Sequence, residues 1–342
     1  MKVFITGGSG LIGRGLAAQL LEAGHQPIIL SRHSNEVRRR REYRAYRVIQ
    51  GDPCAAGDWQ SEVDGCDVVV NLAGHNLFQD RWNAAVKARI RDSRVRGTDH
   101  LVEAIRIART RPQALVQASA IGYYGPRGDE ELTEPAPSGT DFLAVVCREW
   151  EHASDPVEDL GVRRAIIRIG VVLAASGGAL AVMKPIFKAL PGTPIGSAGQ
   201  LGPATGQQWM SWIHVDDIVG LFKLAVENPQ ATGPINGTAP EPVRNADFSR
   251  ALSNLLWKPY APWRFFFPYG PPDAVLRLLL GEVASVVASG QKVLPKRALE
   301  LGYRYKHPDL AEALKDVLTE RTIATTAEHK PLPEASRSHA HH

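Results

Sequence analysis

Cysteine is nearly absent from this chain of 342 residues: Cys54, Cys66 and Cys147 are odd in number and scattered. That excludes a disulfide framework, and no two of them have the spacing of zinc ligands. They suit reduced thiols and point to a cytoplasmic setting. A long apolar run is missing too: 274–290 comes nearest and is broken by Arg277 and Glu282, so no membrane span is expected. The opening MKVFITGGSG enters structure directly, without the apolar stretch of a signal peptide. Charge of one sign is scarce: 40 Lys and Arg against 36 Asp and Glu leave +4, too little by itself to imply nucleic acid. With 44% hydrophobic and 22% charged residues, the composition is that of a soluble globular protein. The length allows one large domain and an appendage.

Two local excesses stand out. Residues 38–47, RRRREYRAYR, are strongly basic. They read as a solvated loop or helix face, and alternatively as help in holding a phosphorylated ligand; a nucleic-acid partner is not expected. The tail beyond about Thr322 is polar, aperiodic and contains proline, which predicts disorder over 321–342. Its His339, His341 and His342 are not assigned a metal.

The first half alternates short apolar runs with helical patterns, which argues for an α/β fold with a parallel, doubly wound sheet. Strands are expected at Val3–Thr6, Pro27–Ser31, Arg44–Ile49, Asp67–Asn71, Ala114–Ser119 and Ala165–Ile169, with helices over 83–109 and 141–155. After Ile169 the pattern changes. Gly178–Leu190 reads as helix, 191–206 as a Gly/Pro-rich loop, and WIHVDD as strand, turn and helix start, with Asp216 or Asp217 as the N-cap. The expected division is a dinucleotide domain over 1–240, with substrate-side insertions near 176–208, then a helical region over 241–320.

TGGSGLIG places Gly7, Gly10 and Gly13 between the first strand and the first helix. In that context one glycine permits the tight turn, one lets backbone approach a pyrophosphate, and one lets helix and strand pack closely. The helix N-terminus offers free N–H groups to the diphosphate. Where an NAD site usually ends its second strand in a carboxylate, this chain has Ser31 and Arg32. A guanidinium pairs well with a 2′-phosphate, which predicts NADP(H). Asp52 after the third strand and Leu72, Ala73 and Gly74 after the fourth fall in register with this loop.

TGGSGLIG, LSR, NLAG, the series Arg81, Trp82, Lys87, Ser93, Arg94 and Thr98, then SAIGYYG, RIGVVL and WIHVDD together resemble the extended short-chain dehydrogenase/reductases. Within them the chain resembles the "epimerase family" branch, which carries a short helical C-terminal domain. The resemblance implies a Rossmann fold, NADP(H) binding and a substrate cleft above the nicotinamide. Carried over by position, Gly7, Gly10, Leu11, Ile12, Gly13, Ser31, Arg32, Asp52, Leu72, Ala73 and Gly74 would line the cofactor, and Ser119 matches the serine closing the fifth strand.

The resemblance also exposes a gap. The broader family uses Tyr-x-x-x-Lys, in which the lysine lowers the phenol pKa and holds the nicotinamide ribose. Here DFLAVVCREWE offers Phe142 with Val146, or Leu143 with Cys147, and neither pair can move a proton in that way. Cys147 is titratable, but a thiol on a packed helix reads first as an inert small hydrophobe. Ser119, Tyr123 and Tyr124 are the other candidates for proton transfer. Arg81, Trp82 and Arg168 are candidates on the substrate side; each also reads as a packing or anchoring residue. Two functions are therefore open: an NADP(H)-dependent oxidoreductase or epimerase acting on a small carbonyl or sugar-like substrate, or a non-catalytic NADP(H)-binding sensor or assembly factor. Pairing of the helices over 83–109 and 141–155 across a two-fold axis would make a homodimer.

Overall fold

The computed structural model describes residues 1–178, 180, 206–256, 282 and 289–328. Most of the expected helix at 178–190, of the loop at 191–206 and of the run at 274–290 lies outside these residues, as does 329–342. In chain order the first half gives β1 (Lys2–Thr6), α1 (Leu11–Glu22), β2 (Gln26–Ser31), α2 (Ser34–Arg39), β3 (Arg47–Gln50), β4 (Val68–Asn71), α3 (Ala84–Ile107) and β5 (Ala114–Ala120). Then follow β6 (Glu131–Leu132), α4 (Phe142–His152), α5 (Pro156–Asp159), β7 (Arg163–Ile169) and β8 (Val171–Leu173). The last part holds β9 (Trp209–Met210), β10 (Trp212–His214), α6 (Val215–Glu227), β11 (Gly233–Gly237), β12 (Val243–Arg244), α7 (Asn245–Leu255), β13 (Lys292–Val293), α8 (Lys296–Glu300) and α9 (Leu310–Glu328).

Seven strands form one sheet in the order β11-β7-β5-β4-β1-β2-β3, every pair parallel. The order reverses between β1 and β4, so the crevice for a dinucleotide opens there, at the carboxyl ends of the strands. The apolar runs explain the arrangement. Val68, Val69 and Val70 are all buried, as a strand covered on both faces requires. One core layer joins Val3, Ile5 and Val70 to Leu16 and Leu20 of α1 and Phe222 of α6. The other joins Phe4, Val69 and Leu115 to Leu101 and Ile105 of α3. A smaller cluster packs Trp212 against Phe248 and Leu252 of α7 and Leu314 and Val317 of α9.

The helix starts are set locally. Asn83 caps α3 by accepting from the Val86 N–H at 2.9 Å, and Asp141 caps α4 through the Ala144 N–H at 3.0 Å. The expected Asp216 or Asp217 cap on α6 is corrected: the helix begins at Val215, and His214 Nδ1 accepts from the Asp216 N–H at 3.1 Å. Both aspartates fall instead within the first turn, where negative charge still favours the helix. β3 occupies Arg47–Gln50 rather than starting at Arg44, because a short helical turn takes Arg41–Tyr43. α9 runs to Glu328, past the boundary expected at 320.

Candidate dinucleotide and active site

The glycine turn sits at the head of the sheet. Gly7 has φ +69°, and a Cβ on it would lie 2.7 Å from the Leu72 carbonyl carbon. A Cβ on Gly13 would lie 2.4 Å from the Gly7 carbonyl oxygen. The first glycine thus lets β1 turn beneath the β4 exit, and the last lets α1 sit against the turn. Gly10 is the N-cap of α1, and no side chain caps that helix. The first-turn N–H groups, Leu11 and Ile12 among them, are left for an anion. Thr6 fixes the neighbouring turn: its hydroxyl donates to Asn71 Oδ1 at 2.6 Å and accepts from the Ala73 N–H at 3.3 Å. Leu72 and Ala73 are half-buried and Gly74 is exposed.

At the end of β2, Ser31 Oγ accepts from the His33 N–H at 3.1 Å. Arg32 is exposed and makes no ion pair among the described residues. It borders a surface recess of about 450 Å³ shared with Asn35, Arg38 and Gln50. Gln50 holds the recess together, donating to the Arg32 carbonyl at 2.7 Å and accepting from Ser34 Oγ at 2.6 Å. Of the basic run, Arg38 is anchored here through the Val48 carbonyl. Gly51 N–H donates to the Ser31 carbonyl at 3.1 Å, which brings exposed Asp52 beside the same edge. Asp52 Oδ1 accepts from the Cys54 N–H at 2.9 Å.

The candidates around β5 separate sharply. Ser119 Oγ donates to Glu151 Oε1 at 2.6 Å. Arg168 donates to the two Glu151 oxygens through Nε and Nη2, both at 2.9 Å, and through Nη1 to Tyr124 Oη at 2.9 Å and the Glu134 carbonyl at 3.0 Å. Tyr124 Oη donates to Asn236 Oδ1 at 2.7 Å. Burial opposes the charge on Arg168, but its bonds to Glu151 outweigh that and hold its pKa above the ordinary value. Burial also pushes the Tyr124 phenol up, against the pull of Arg168. Arg168 is 4% exposed, so the substrate-side expectation is corrected in favour of an anchoring one: it lies inside the fold. Glu151 was not legible as a site residue, although it stands one turn beyond Cys147 on α4.

Cys147 faces Ser119 and Ala120, and Leu143 lies beside it against the turn at Gly122, where a Cβ would stand 3.4 Å from Leu143 Cβ and 3.8 Å from Cys147 Sγ. Burial, and then the charge of Glu151, push its thiol up to about 12, so it is a protonated, inward group. Tyr123 differs. It is half-buried, its ring lies 3.6 Å from the Arg168 guanidinium carbon, and its hydroxyl makes no hydrogen bond among the described residues. Trp82 is buried, packs edge-on against Phe142 at 5.4 Å and donates its Nε1–H to the Leu77 carbonyl at 2.9 Å, a packing role. Arg81 is exposed beside it.

A second cluster joins His214, Asp216 and His307, whose ligand atoms lie within 4.8 Å of one another. A cation on His214 Nε2 would need the proton on Nδ1, which would cost the cap on α6. Asp217, buried beneath it, accepts from the Lys306 N–H at 2.7 Å and the His307 N–H at 3.0 Å, tying the C-terminal segment to α6.

Sheet order, uncapped glycine turn and crevice together define a Rossmann-type dinucleotide-binding protein. Residues 3–236 match the model of the NAD dependent epimerase/dehydratase family, and residues 271–317 match a domain of unknown function (DUF1731). The chain belongs to that epimerase/dehydratase family. It is 41% identical to "Epimerase family protein SDR39U1 homolog, chloroplastic" of Arabidopsis thaliana, over 93% of this chain and 87% of that protein. It is 34% identical to "Epimerase family protein YfhF" of Bacillus subtilis, over 94% of this chain and 99% of that one. Among solved structures it resembles human epimerase family protein SDR39U1 (isoform 2) with NADPH, at TM-score 0.78 and 32% identity, covering 93% of this chain and 99% of that one. Among the described residues no helix is long and apolar enough to cross a membrane.

Proposed function

We propose that this chain binds NADP(H) and acts as an oxidoreductase or epimerase on a small carbonyl or sugar-like substrate, working with reduced thiols in a cytoplasm. The observation that carries the reading is the uncapped start of α1 at Gly10, together with an exposed Arg32 that makes no ion pair among the described residues. The helix end receives the diphosphate and the guanidinium the 2′-phosphate. The NADPH in the human relative supports the same choice. Hydride transfer itself needs only orientation and a dry pocket, both of which a fold of this kind can supply. Of the groups considered for the proton, Ser119 and Tyr124 already donate to Glu151 and Asn236, and Cys147 is held protonated. Tyr123 is the one of these phenols whose hydroxyl makes no hydrogen bond among the described residues, and we assign it the proton-transfer role. A panel of carbonyl compounds read by NADPH oxidation tests this. Turnover by the wild type, slowed at least about tenfold in Tyr123→Phe with cofactor affinity kept, is the expected result. No turnover on any compound, with NADPH bound tightly, sinks it.

One observation favours a second reading, a non-catalytic NADP(H) sensor. Leu143 and Cys147 occupy the face of α4 where proton-transfer groups would stand, and neither can serve. On that reading NADP+ and NADPH stabilise the fold to different extents in thermal melts.

A further inference from the structure

One short stretch of the C-terminal region reaches the turn that carries Tyr123. Residues 290–294 lie against that turn and the end of β11, and they are fixed at almost every step. A Cβ on Gly290 would collide with the Trp209 carbonyl oxygen, so the chain presses directly on β9. Ser211 Oγ donates to the Gln291 carbonyl at 2.8 Å and accepts from the Val293 N–H at 2.9 Å. The Leu294 N–H donates to the Leu132 carbonyl at 2.9 Å, and Asn236 Nδ2 donates to the Leu294 carbonyl at 2.9 Å. Val293 is fully buried in one cluster with Ile121, Tyr124 and Leu132, and Tyr123 packs against that cluster.

Gln291 stands between these fixed points. Its Nε2 donates to the Ile121 carbonyl at 2.7 Å, at the start of the turn Ile121–Tyr124. A carbonyl oxygen only accepts, so the NH2 end of the amide must face it, and a flipped amide would lose the bond. Oε1 is thereby turned away from Ile121. It makes no hydrogen bond among the described residues, and it is not shut away from solvent. The backbone and one half of the amide are spent on holding the segment in place; the other half is spent on nothing inside the protein.

The outcome is a preorganised acceptor at the carboxyl ends of the strands, where a sheet of this type takes its ligands. It borders the turn that presents Tyr123, whose hydroxyl also has no partner among the described residues. An amide oxygen accepts and cannot donate. It rewards a ligand group that carries a hydrogen, gains nothing from an ether or an alkyl group, and repels a carboxylate. We propose that Gln291 contacts the substrate, with Oε1 accepting from a hydroxyl close to the carbonyl that Tyr123 serves, and that the substrates are hydroxy-carbonyl compounds. The stretch that supplies this contact lies within residues 271–317, the part that matches the domain of unknown function. That domain then completes the site as well as packing beside it.

This rests on the oxidoreductase reading, and the test separates the two. NADPH oxidation by the full chain is followed with hydroxyacetone, methoxyacetone and butanone, which differ only in carrying a hydroxyl, an ether or an alkyl end, and with the same ends placed one carbon further from the carbonyl. The expected result is a kcat/KM for the hydroxyl compound at least about tenfold above both others in one of the two series, the worth of about one hydrogen bond. The ether decides, because it keeps the oxygen and removes the hydrogen. The wild type alone supplies this comparison, so it stands whether or not a variant folds. Gln291→Met keeps the stem and removes the amide; it should cut the preference to about twofold or less, with NADPH affinity kept in calorimetry. A glutamine that only braced the turn would slow every compound together and leave the preference intact, which overturns the proposal. A wild type that treats hydroxyl and ether alike overturns it too. Turnover of other carbonyl compounds but none of these overturns it and leaves the oxidoreductase reading in place, whereas NADPH oxidation with no carbonyl compound at all overturns both.

Discussion

Glu151 accepts the Ser119 hydroxyl at 2.6 Å on the same oxygen that takes the Arg168 Nε–H at 2.9 Å. One carboxylate thus joins the end of β5, the inner face of α4 and the end of β7. It lets a buried arginine stay charged. A buried ion pair adds little net stability over an apolar substitute, yet breaking one from a single side leaves an uncompensated charge. Glu151→Ala should therefore cost about 3–5 kcal/mol in urea unfolding. Ser119→Ala should cost only about 1–3 kcal/mol, one hydrogen bond to a charged acceptor. Equal losses from the two would mean that Arg168 finds another partner.

The glycine turn separates packing from binding. Gly13→Ala puts a methyl 2.4 Å from the Gly7 carbonyl oxygen, a backbone atom that cannot swing aside. It should destabilise the fold by about 2 kcal/mol or more. At Gly10 the nearest atom to a Cβ is 3.2 Å away, a contact a small shift relieves. Gly10→Ala should melt within a few degrees of wild type and still bind NADPH at least about tenfold more weakly, because its methyl occupies the approach to the helix N-terminus. Wild-type affinity in a folded Gly10→Ala chain would remove the diphosphate from this turn.

On the proposed function Arg32 receives the 2′-phosphate of the cofactor. Arg32→Ala should lower NADPH affinity by about tenfold to a hundredfold and leave NADH affinity unchanged. Parallel titrations of the two cofactors read the ratio. If both affinities fall together, Arg32 shapes the recess without reading the phosphate.

The parts of the molecule that were legible in the sequence are those set by neighbours in the chain. Gly7, Gly10 and Gly13 declare themselves because each answers a backbone demand within one turn, and Ser31 and Arg32 because they end a strand that the run Ile28, Ile29 and Leu30 makes plain. The Ser119–Glu151–Arg168–Tyr124 network could not be read that way. Its members come from a strand, a helix, another strand and the short helical turn Ile121–Tyr124, and only the parallel crossovers bring them together. Arg168 looked cleft-facing because it nears the end of its strand, but burial among four elements decides its role. At His214 the competition was local: two aspartates are good caps, yet the helix begins at Val215, two residues earlier than an Asp216 cap requires and three earlier than an Asp217 cap.

Thiol chemistry checks the assignment of Cys147 as inert. Burial raises all three thiols, Cys66 to about 11 and Cys147 to about 12, and Cys54 alone is half-buried rather than buried. At about pH 8 the thiolate fraction of the inner two is negligible, and the thiolate is the reactive form. Iodoacetamide on the native protein should label Cys54 first, with Cys66 and Cys147 reacting only once urea unfolds the chain. Peptide mapping that finds Cys147 modified in the native state would return it to the list of reactive groups.

Acid should weaken the joint between the sheet domain and the C-terminal segment, and the sign follows from His214. Its ring is 1% exposed, stacks on His307 at 3.8 Å between centroids, and has Nε2 3.3 Å from the Asp316 carboxylate. Burial, and then the His307 charge, lower its pKa below the ordinary imidazole value; Asp216, Asp316 and Asp217 pull the other way and do not win. The unfolded chain therefore binds this proton more readily than the folded one. Stability contributed by neutral His214 is complete above the unfolded pKa, about 6.5, and is lost as pH falls below it, until the folded pKa is passed. Protonation would also place a hydrogen on Nδ1, the atom that accepts the Asp216 N–H and caps α6. His214→Asn keeps an acceptor at the cap and removes the titration. Between about pH 6.5 and 5, wild-type unfolding free energy should fall more steeply than that of His214→Asn, by up to about 1.4 kcal/mol per pH unit. Matching slopes in the two proteins would place the acid sensitivity elsewhere.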